Sequence, residues 1–440
     1  MYRLPTTATA PFCPSEVRGS VFVDPGLALW RRMLRFAGPG LLISVGYMDP
    51  GNWATDIAAG SQFGYSLLFV VVLSSLAAIL LQTLCLRLGI VTGKDLARAS
   101  RERYRPEVSH AMWLFAEIAI VACDVAEVLG CALALKLLLG VPLAWGVALT
   151  GLDTIIVLGL QGRGFRRLEA IILGLIAIIG ICFLVELILV GPDLGQILGG
   201  LAPSLAALEH GDALYIAIGV LGATVMPHNL YLHSSIVQTR VTGESVPAKR
   251  DAIRLATFDV TFSLLLALLI NAAILILAAA AFHATGATAV TEIDDAYRLL
   301  QPIAGTAMAS ILFGVALLAS GQSSTFTGTV AGQVVMEGFL DLKIPCYQRR
   351  LITRGLALVP ALAGVLTMGE HSVGRLLVFS QVVLSAQLPF AIYPLIRLTS
   401  DRRMMGPFRN PPVLAAAAWV LFLAITAANL WLLLQSFGLV

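Results

Sequence analysis

The sequence predicts an all-α polytopic membrane protein, and three observations predict it. Hydrophobic residues make up 58% of the 440 residues and charged residues 12%, about half the charge fraction of a soluble domain. The apolar residues come in long blocks, many close to the ~20 residues that a helix needs to cross a bilayer. Lys and Arg gather in alternate loops between these blocks. Strand-like alternation between turns does not recur, which argues against a β-barrel. Residues 1–30 hold Pro5, Pro11, Pro14 and Pro25 without an apolar core, so no cleavable signal peptide is expected.

Eleven transmembrane helices are expected, at roughly 36–61, 66–91, 111–135, 143–160, 168–190, 212–238, 256–281, 304–332, 352–368, 374–396 and 412–434. They form a single transmembrane domain, 36–434, after an N-terminal segment, 1–35, whose first 25 residues are expected to be disordered or loosely attached. With the N-terminus inside, 25 of the 29 Lys and Arg fall in inner segments. Lys136, Arg298 and Arg375 fall outside, and Arg87 lies within a span. That asymmetry follows the positive-inside rule, placing the N-terminus in the cytoplasm and the C-terminus outside. The six cysteines are scattered with no CxxC pair, and they read as small core residues.

Two spans carry breaks. The first contains Asp49-Pro50-Gly51-Asn52: Pro removes a backbone donor, Gly permits non-helical dihedrals, and Asp and Asn favour caps over helix interiors. The sixth contains Met226-Pro227-His228-Asn229. Unwound backbone at membrane depth must be buried in protein or line a cavity. A five-helix unit repeated once, with inverted topology, places breaks in spans 1 and 6. The repeats are then about 36–190 and 212–396, with 412–434 as an extra helix. Paired discontinuous helices in corresponding halves mark a binding site at the midplane.

The residues at the breaks suit a cation. Asp49 is a carboxylate near mid-bilayer and is functional by default. Asn52 adds an amide oxygen and Met226 a thioether. Unwinding is expected to free the carbonyls of Gly46 and Ala223, both at C-terminal ends of half-helices, where the dipole favours cations. Hard oxygens alone suit Mg²⁺ or Ca²⁺, whereas a thioether favours softer transition metals.

The third span carries Glu117, Asp124 and Glu127 at spacings of seven and three, all on one helical face. Carboxylates in such a stripe mark proton or ion routes. His228 titrates near neutral pH when unperturbed, and Arg350 and Arg354 are placed to pair with the stripe. Gln82 and Gln381 are isolated intramembrane amides, either lining a pathway or bonding a neighbouring helix. His233 reads as a satisfied interior histidine. No GxxxxGKS loop, HExxH or GxSxG motif occurs, which argues against an ATP-driven pump, a zinc protease or a serine hydrolase.

Met48-Asp49-Pro50-Gly51-Asn52 resembles the first-helix signature of the Nramp (natural resistance-associated macrophage protein) family, and 222–229 (GATVMPHN) resembles its sixth-helix signature. Asp124-Val125-Ala126-Glu127, Thr353-Arg354 and Gln387-Leu388-Pro389-Phe390 agree with it as well, so the resemblance covers about residues 36–434. It implies a LeuT-type five-plus-five inverted repeat, and a proton-coupled symporter of the bacterial manganese type in the inner membrane. It implies metal ligation by Asp49, Asn52, Met226 and the carbonyls of Gly46 and Ala223, with Gln381 approaching in occluded states. It also implies proton relay through Asp49, Asp124 and Glu127, with Arg354 as partner and His228 near the gate; Glu117 continues the stripe. In relatives that carry magnesium the sixth-helix Met is replaced; here Met226 is present. Transported Mn²⁺ or Fe²⁺ and protons are the expected substrates and the lipid bilayer the expected surroundings. No resident cofactor, enzyme activity, nucleic acid or obligate protein partner is expected.

Overall fold

The computed structural model describes residues 18–152, 165–204, 211–241, 243–288, 290, 292–304, 307–341, 346–369 and 373–436. In chain order the helices are α1 (Leu29–Phe36), α2 (Pro39–Gly46), α3 (Pro50–Phe63), α4 (Leu68–Thr92), α5 (Leu96–Arg103), α6 (Pro106–Leu139), α7 (Leu143–Thr150), α8 (Phe165–Val190), α9 (Leu194–Gly200), α10 (Gly211–Val225), α11 (Pro227–Ile236), α12 (Val246–Ala281), α13 (Ile293–Ala304), α14 (Ala307–Leu340), α15 (Cys346–Met368), α16 (Val373–Ser400), α17 (Arg402–Met405) and α18 (Pro412–Ser436). Two short strands, β1 (Val21–Phe22) and β2 (Arg240–Val241), and 3-10 turns at Val237–Thr239, His283–Thr285 and Gly406–Phe408 accompany them.

Each expected span meets a helix or a pair of half-helices. The first is α2 with α3, and the sixth is α10 with α11. The remaining spans are α4, α6, α7, α8, α12, α14, α15, α16 and α18. Among the described residues eight helical stretches are long and apolar enough to cross a membrane, the sixth span being taken across its break. The first span is not among them because its break leaves halves of 8 and 14 residues. The apolar part of the ninth is only Ile352–Thr367, and most of the fourth lies outside the described residues.

The loops sort as the charge asymmetry requires. At one end, Arg166 donates to the carbonyls of Ala37 (2.6 Å) and Arg35, Lys249 to Val91 O (3.1 Å), and Arg87 to Phe408 O (2.6 Å). These contacts gather the arginine-rich loops into one basic face. At the opposite end, Lys136 pairs with Asp294 (3.5 Å), Ser61 donates to Val290 O (2.8 Å), and Glu292 accepts from Gly374 N (2.6 Å).

The N-terminal expectation is corrected for residues 18–25. β1 pairs in parallel with β2, Val21 opposite Arg240 and Phe22 opposite Val241. Gly19 N donates to Gln238 O (3.1 Å) and Val23 N to Val241 O (2.9 Å). The chain after the sixth span offers unpaired backbone groups, and an extended segment satisfies them as an added strand. Residues 1–17 lie outside the described residues.

The third and eighth spans, α6 and α14, run antiparallel along a seam of glycines. A methyl group at Gly314 would meet Leu138, one at Gly321 would meet Cys131, and one at Gly328 would meet Asp124 and Glu127. The glycines recur every seven residues, so they share one face, and small residues let membrane helices approach closely. The carboxylate stripe is thereby walled off by bare helix backbone.

Candidate metal site

α2 ends at Gly46, and its last turn tightens: Tyr47 N bonds Ser44 O and Met48 N bonds Val45 O, each at 3.1 Å. Asp49 is extended and caps α3, its Oδ1 accepting from Asn52 N at 2.8 Å. The unwound stretch is therefore Tyr47–Asp49, earlier than the expected 49–52. In the sixth span only Met226 leaves the helix, and Pro227 opens α11. Both corrections have one cause. Proline at the first helical position loses no bond, because that N–H has no partner in a helix, and its φ is preset for helix. Each proline thus starts the second half-helix, carrying Gly51 and Asn52, or His228 and Asn229, into it.

Met226 has φ of 35°, in the left-handed region that favours glycine. Its peptide is held by Met226 N to Gly222 O and Asn229 N to Met226 O, both 3.2 Å. Around the first break, Asn271 donates to Tyr47 O (2.8 Å), and Trp53 Nε1 (3.2 Å) and Ser320 donate to Met48 O. Those freed carbonyls are satisfied by neighbours, as burial away from water demands.

The two breaks face each other. Asn52 Nδ2 donates both to Asp49 Oδ1 (2.6 Å) and to Ala223 O (3.1 Å), spanning from one break to the other. Its Oδ1 accepts from Asn271 Nδ2 (3.3 Å). Asn229 Nδ2 donates to Met226 Sδ (3.5 Å), and a methyl group at Gly46 would lie 2.4 Å from that same nitrogen. Only glycine lets the end of α2 sit this close to α11. Gln381 closes the cluster: a methyl group at Gly51 would clash with its Nε2 and lie 3.1 Å from Asp49 Oδ2. Asp49, Met226 and Gln381 are all fully buried. Asp49 Oδ2 and Gln381 Oε1 have no hydrogen-bond partner among the described residues. A buried carboxylate oxygen without a donor invites a cation or a proton.

Among the described residues no three His, Cys, Asp or Glu side chains form a metal cage. The donors here are of another kind: one carboxylate, amides, a thioether and a carbonyl.

Beside this cluster runs a chain of titratable groups. His228 Nε2 lies 3.7 Å from Cys123 Sγ, and Cys123 Sγ lies 3.8 Å from Glu127 Oε1. Asp124 and Glu127 lie side by side against Gly328, where an added methyl group would meet both carboxyl groups, Asp124 Oδ1 at 2.7 Å and Glu127 Oε1 at 2.9 Å. The Arg354 guanidinium acts on both by charge and donates to Thr150 O at 2.9 Å. Glu117 sits at the end of the stripe, within electrostatic reach of Asp124. The side chains of Arg349 and Arg350 lie outside what is described.

At the basic end a set of buried contacts links the first, fifth and seventh spans to the strand after the sixth. Buried Arg240 donates to Phe36 O (2.9 Å), Ala37 O (2.7 Å) and Glu169 Oε1 (2.6 Å). Asp259 accepts from Gly38 N (3.2 Å) and Gly40 N (2.7 Å). Deeper in, Gln82 donates to the Tyr47 hydroxyl (2.8 Å) and its Oε1 meets His233 Nδ1 (2.9 Å). Gln82 and His233 are thus mutual partners and not lone polar groups. Toward the opposite end a cavity of about 570 Å³ opens between α3, α10 and α16, lined in part by Gln62, Asp212 and Arg375.

The structure adds residues that sequence reasoning passed over. Cys123, read as a core residue, sits between His228 and Glu127. Its signal was its place one turn before Glu127. Asp56 is buried and within electrostatic reach of Asp49. It was visible as a second acid in the first span, seven residues on. Asn271 carried no local signal beyond being an amide in an apolar helix. Glu186 is buried, both its oxygens lack a partner among the described residues, and it joins none of these chains.

Comparison with known proteins agrees with this architecture. The model of the natural resistance-associated macrophage protein-like family matches residues 40–435. The chain is 66% identical over 438 residues to a divalent metal cation transporter of Ralstonia nicotianae, covering 99% of each chain. It is 67% identical over 437 residues to a divalent metal cation transporter of Pseudomonas aeruginosa, covering 99% of this chain and 100% of the other. Among solved structures it resembles the manganese transporter of Eremococcus coleocola, with a TM-score of 0.89 and 38% identity over 97% of this chain and 92% of the other. A nucleobase-cation symporter, Mhp1, shares the fold alone, with a TM-score of 0.61 at 16% identity over 98% of this chain and 94% of the other. Eight membrane-length apolar helical stretches among the described residues, two facing breaks and these likenesses define a multi-pass helical membrane protein of LeuT-type fold that belongs to the natural resistance-associated macrophage protein family.

Proposed function

We propose that this chain is a carrier that imports divalent transition-metal ions, Mn²⁺ foremost and Fe²⁺ next, together with protons, by alternating access. One observation supports the reading above the others: Asn52 hydrogen-bonds both to Asp49 of the first break and to the Ala223 carbonyl of the second, whose unwound residue is Met226, and all four residues are buried. A cation placed there takes hard oxygens and one soft sulfur, the mixture that distinguishes Mn²⁺ or Fe²⁺ from Ca²⁺. The Gly46 carbonyl and Gln381 complete the proposed ligand set. Relatives named as divalent metal cation and manganese transporters support the same cargo.

Protons take the second route in this reading. His228, Cys123, Glu127 and Asp124 lead from the metal site toward Arg354, and Glu117 extends the stripe. Metal crosses from the cavity beside Gln62 and Asp212, while the Arg240–Glu169 and Tyr47–Gln82–His233 contacts keep the basic end closed until the site is loaded. The basic face is the cytoplasmic one by the charge rule, in the inner membrane of a bacterium, with the C-terminus outside. The membrane potential then assists uptake by about 2.3 kcal/mol per charge per 100 mV. Spans 1–5 and 6–10 act as the two inverted units, and the protein performs no covalent chemistry. A sodium-coupled amino-acid symporter of the same fold is disfavoured, since Asp49 repels a substrate carboxylate.

The test is Mn²⁺ influx into liposomes with an internal dye, at two external pH values and with Ca²⁺ as competitor. Influx that rises at acid pH supports the proposal; a folded sample with no Mn²⁺ flux at either pH overturns it.

A further inference from the structure

A concave polar pocket of about 600 Å³ opens at the basic end, between the end of α5, the last turns of α16, the start of α17 and the first half of α18. Arg103, Arg397 and Arg402 line it, together with Tyr104, Tyr393 and Trp419. Asp401, the acid at its wall, already accepts from Arg403 N at 2.8 Å as a helix cap. None of the three guanidiniums forms an ion pair among the described residues. Three guanidiniums against the one carboxylate of Asp401 leave this concavity with an excess of positive charge, which favours a further anion. Planar guanidinium forks match phosphate oxygens in particular.

The surroundings say where that anion comes from. Trp419, Tyr393 and Phe422 pack edge to face and tilted, with centroids 5.4 to 6.0 Å apart, as aromatic rings do at the headgroup level of a membrane. Phe390, Tyr393 and Arg397 recur at spacings of three and four on one face of α16. Next to them the surface turns apolar and exposed: Phe390, Val420 and Leu423. A free phosphate has no use for that apolar continuation, whereas a lipid tail does.

We propose that this pocket holds the phosphate of an anionic phospholipid headgroup, with its acyl chains laid along Phe390, Val420 and Leu423. The proposal rests on the orientation above only in assigning the lipid to the cytoplasmic leaflet, which carries anionic lipids; binding itself does not depend on transport.

The full-length protein in neutral detergent is titrated with phosphatidylglycerol, with phosphatidylcholine of the same chains, and with soluble glycerol phosphate. Adducts are counted by native mass spectrometry. Phosphatidylglycerol binds in preference, Arg397→Gln weakens it about fivefold, and Arg103→Gln/Arg397→Gln/Arg402→Gln weakens it about 100-fold. Arg31→Gln/Arg403→Gln/Arg409→Gln, which removes the same charge outside the pocket, changes it less than about twofold. All four side chains used singly or in the control are exposed, so the variants fold. Equal loss in the control variant, equal binding of phosphatidylcholine, or displacement of the lipid by an equal concentration of glycerol phosphate would each overturn the assignment. Flux is not read, so failure here and failure of the carrier reading are separable.

Discussion

The two helix breaks reach the same place by different physics. The first spreads over three residues and is built from polar capping: Asp49 holds Asn52 N, and Asn271, Trp53 and Ser320 hold the loosened carbonyls. The second is a single residue with no side-chain cap, and Met226 is bent to a positive φ that its side chain disfavours. Glycine would suit that backbone better. A residue kept where a better-fitting one exists points to its side chain, here the sulfur. Asp49 by contrast serves twice, as the cap of α3 and, among the described residues, as the one carboxylate bonded between the two breaks.

Four experiments break or sharpen this contrast. Asp49→Ala removes charge and cap together: Mn²⁺ uptake at limiting metal falls more than about 100-fold, and the folded state loses the ~1 kcal/mol of a lost cap, read as a lower melting point. Retention of uptake would separate Asp49 from the metal. At the second break the two properties come apart. Met226→Gly and Met226→Ala both cut the preference for Mn²⁺ over Ca²⁺ about tenfold. The glycine variant is the more stable of the two by ~1 kcal/mol, since alanine keeps the left-handed strain. An alanine variant as stable as the glycine one would remove strain from the account.

Asn271→Ala strips support from the first break alone, and Mn²⁺ affinity, measured by calorimetry, weakens about tenfold, with selectivity over Ca²⁺ unchanged. The smallest effect on metal is expected from Asp124→Asn. Mn²⁺ affinity stays at the wild-type value, while the stimulation of uptake by external acid disappears; acid stimulation that survives would place the proton route elsewhere.

Both breaks were legible in the sequence because each depends on residue type over a few positions: a proline, a glycine, an acid in an apolar block. Their limits were not, because a proline can end one helix or begin the next, and only the neighbouring caps decide which. The stripe of Glu117, Asp124 and Glu127 was legible from periodicity. Cys123 was legible only in its place one turn before Glu127, since its other contact is with His228, 105 residues away in the chain. The same holds for Arg240 and Glu169, which read as ordinary loop charge and helix charge until folding brings them to 2.6 Å. The strand pairing of β1 with β2 had no local signal at all, being two residues long on each side.

The Asn52 side chain ties together two stretches of chain that lie far apart in sequence. It spans from Asp49, three residues before it, to the Ala223 carbonyl, 171 residues on. Any displacement of α10 against α3 has to stretch or break the Asn52–Ala223 hydrogen bond, so a single side chain couples movement at one break to movement at the other.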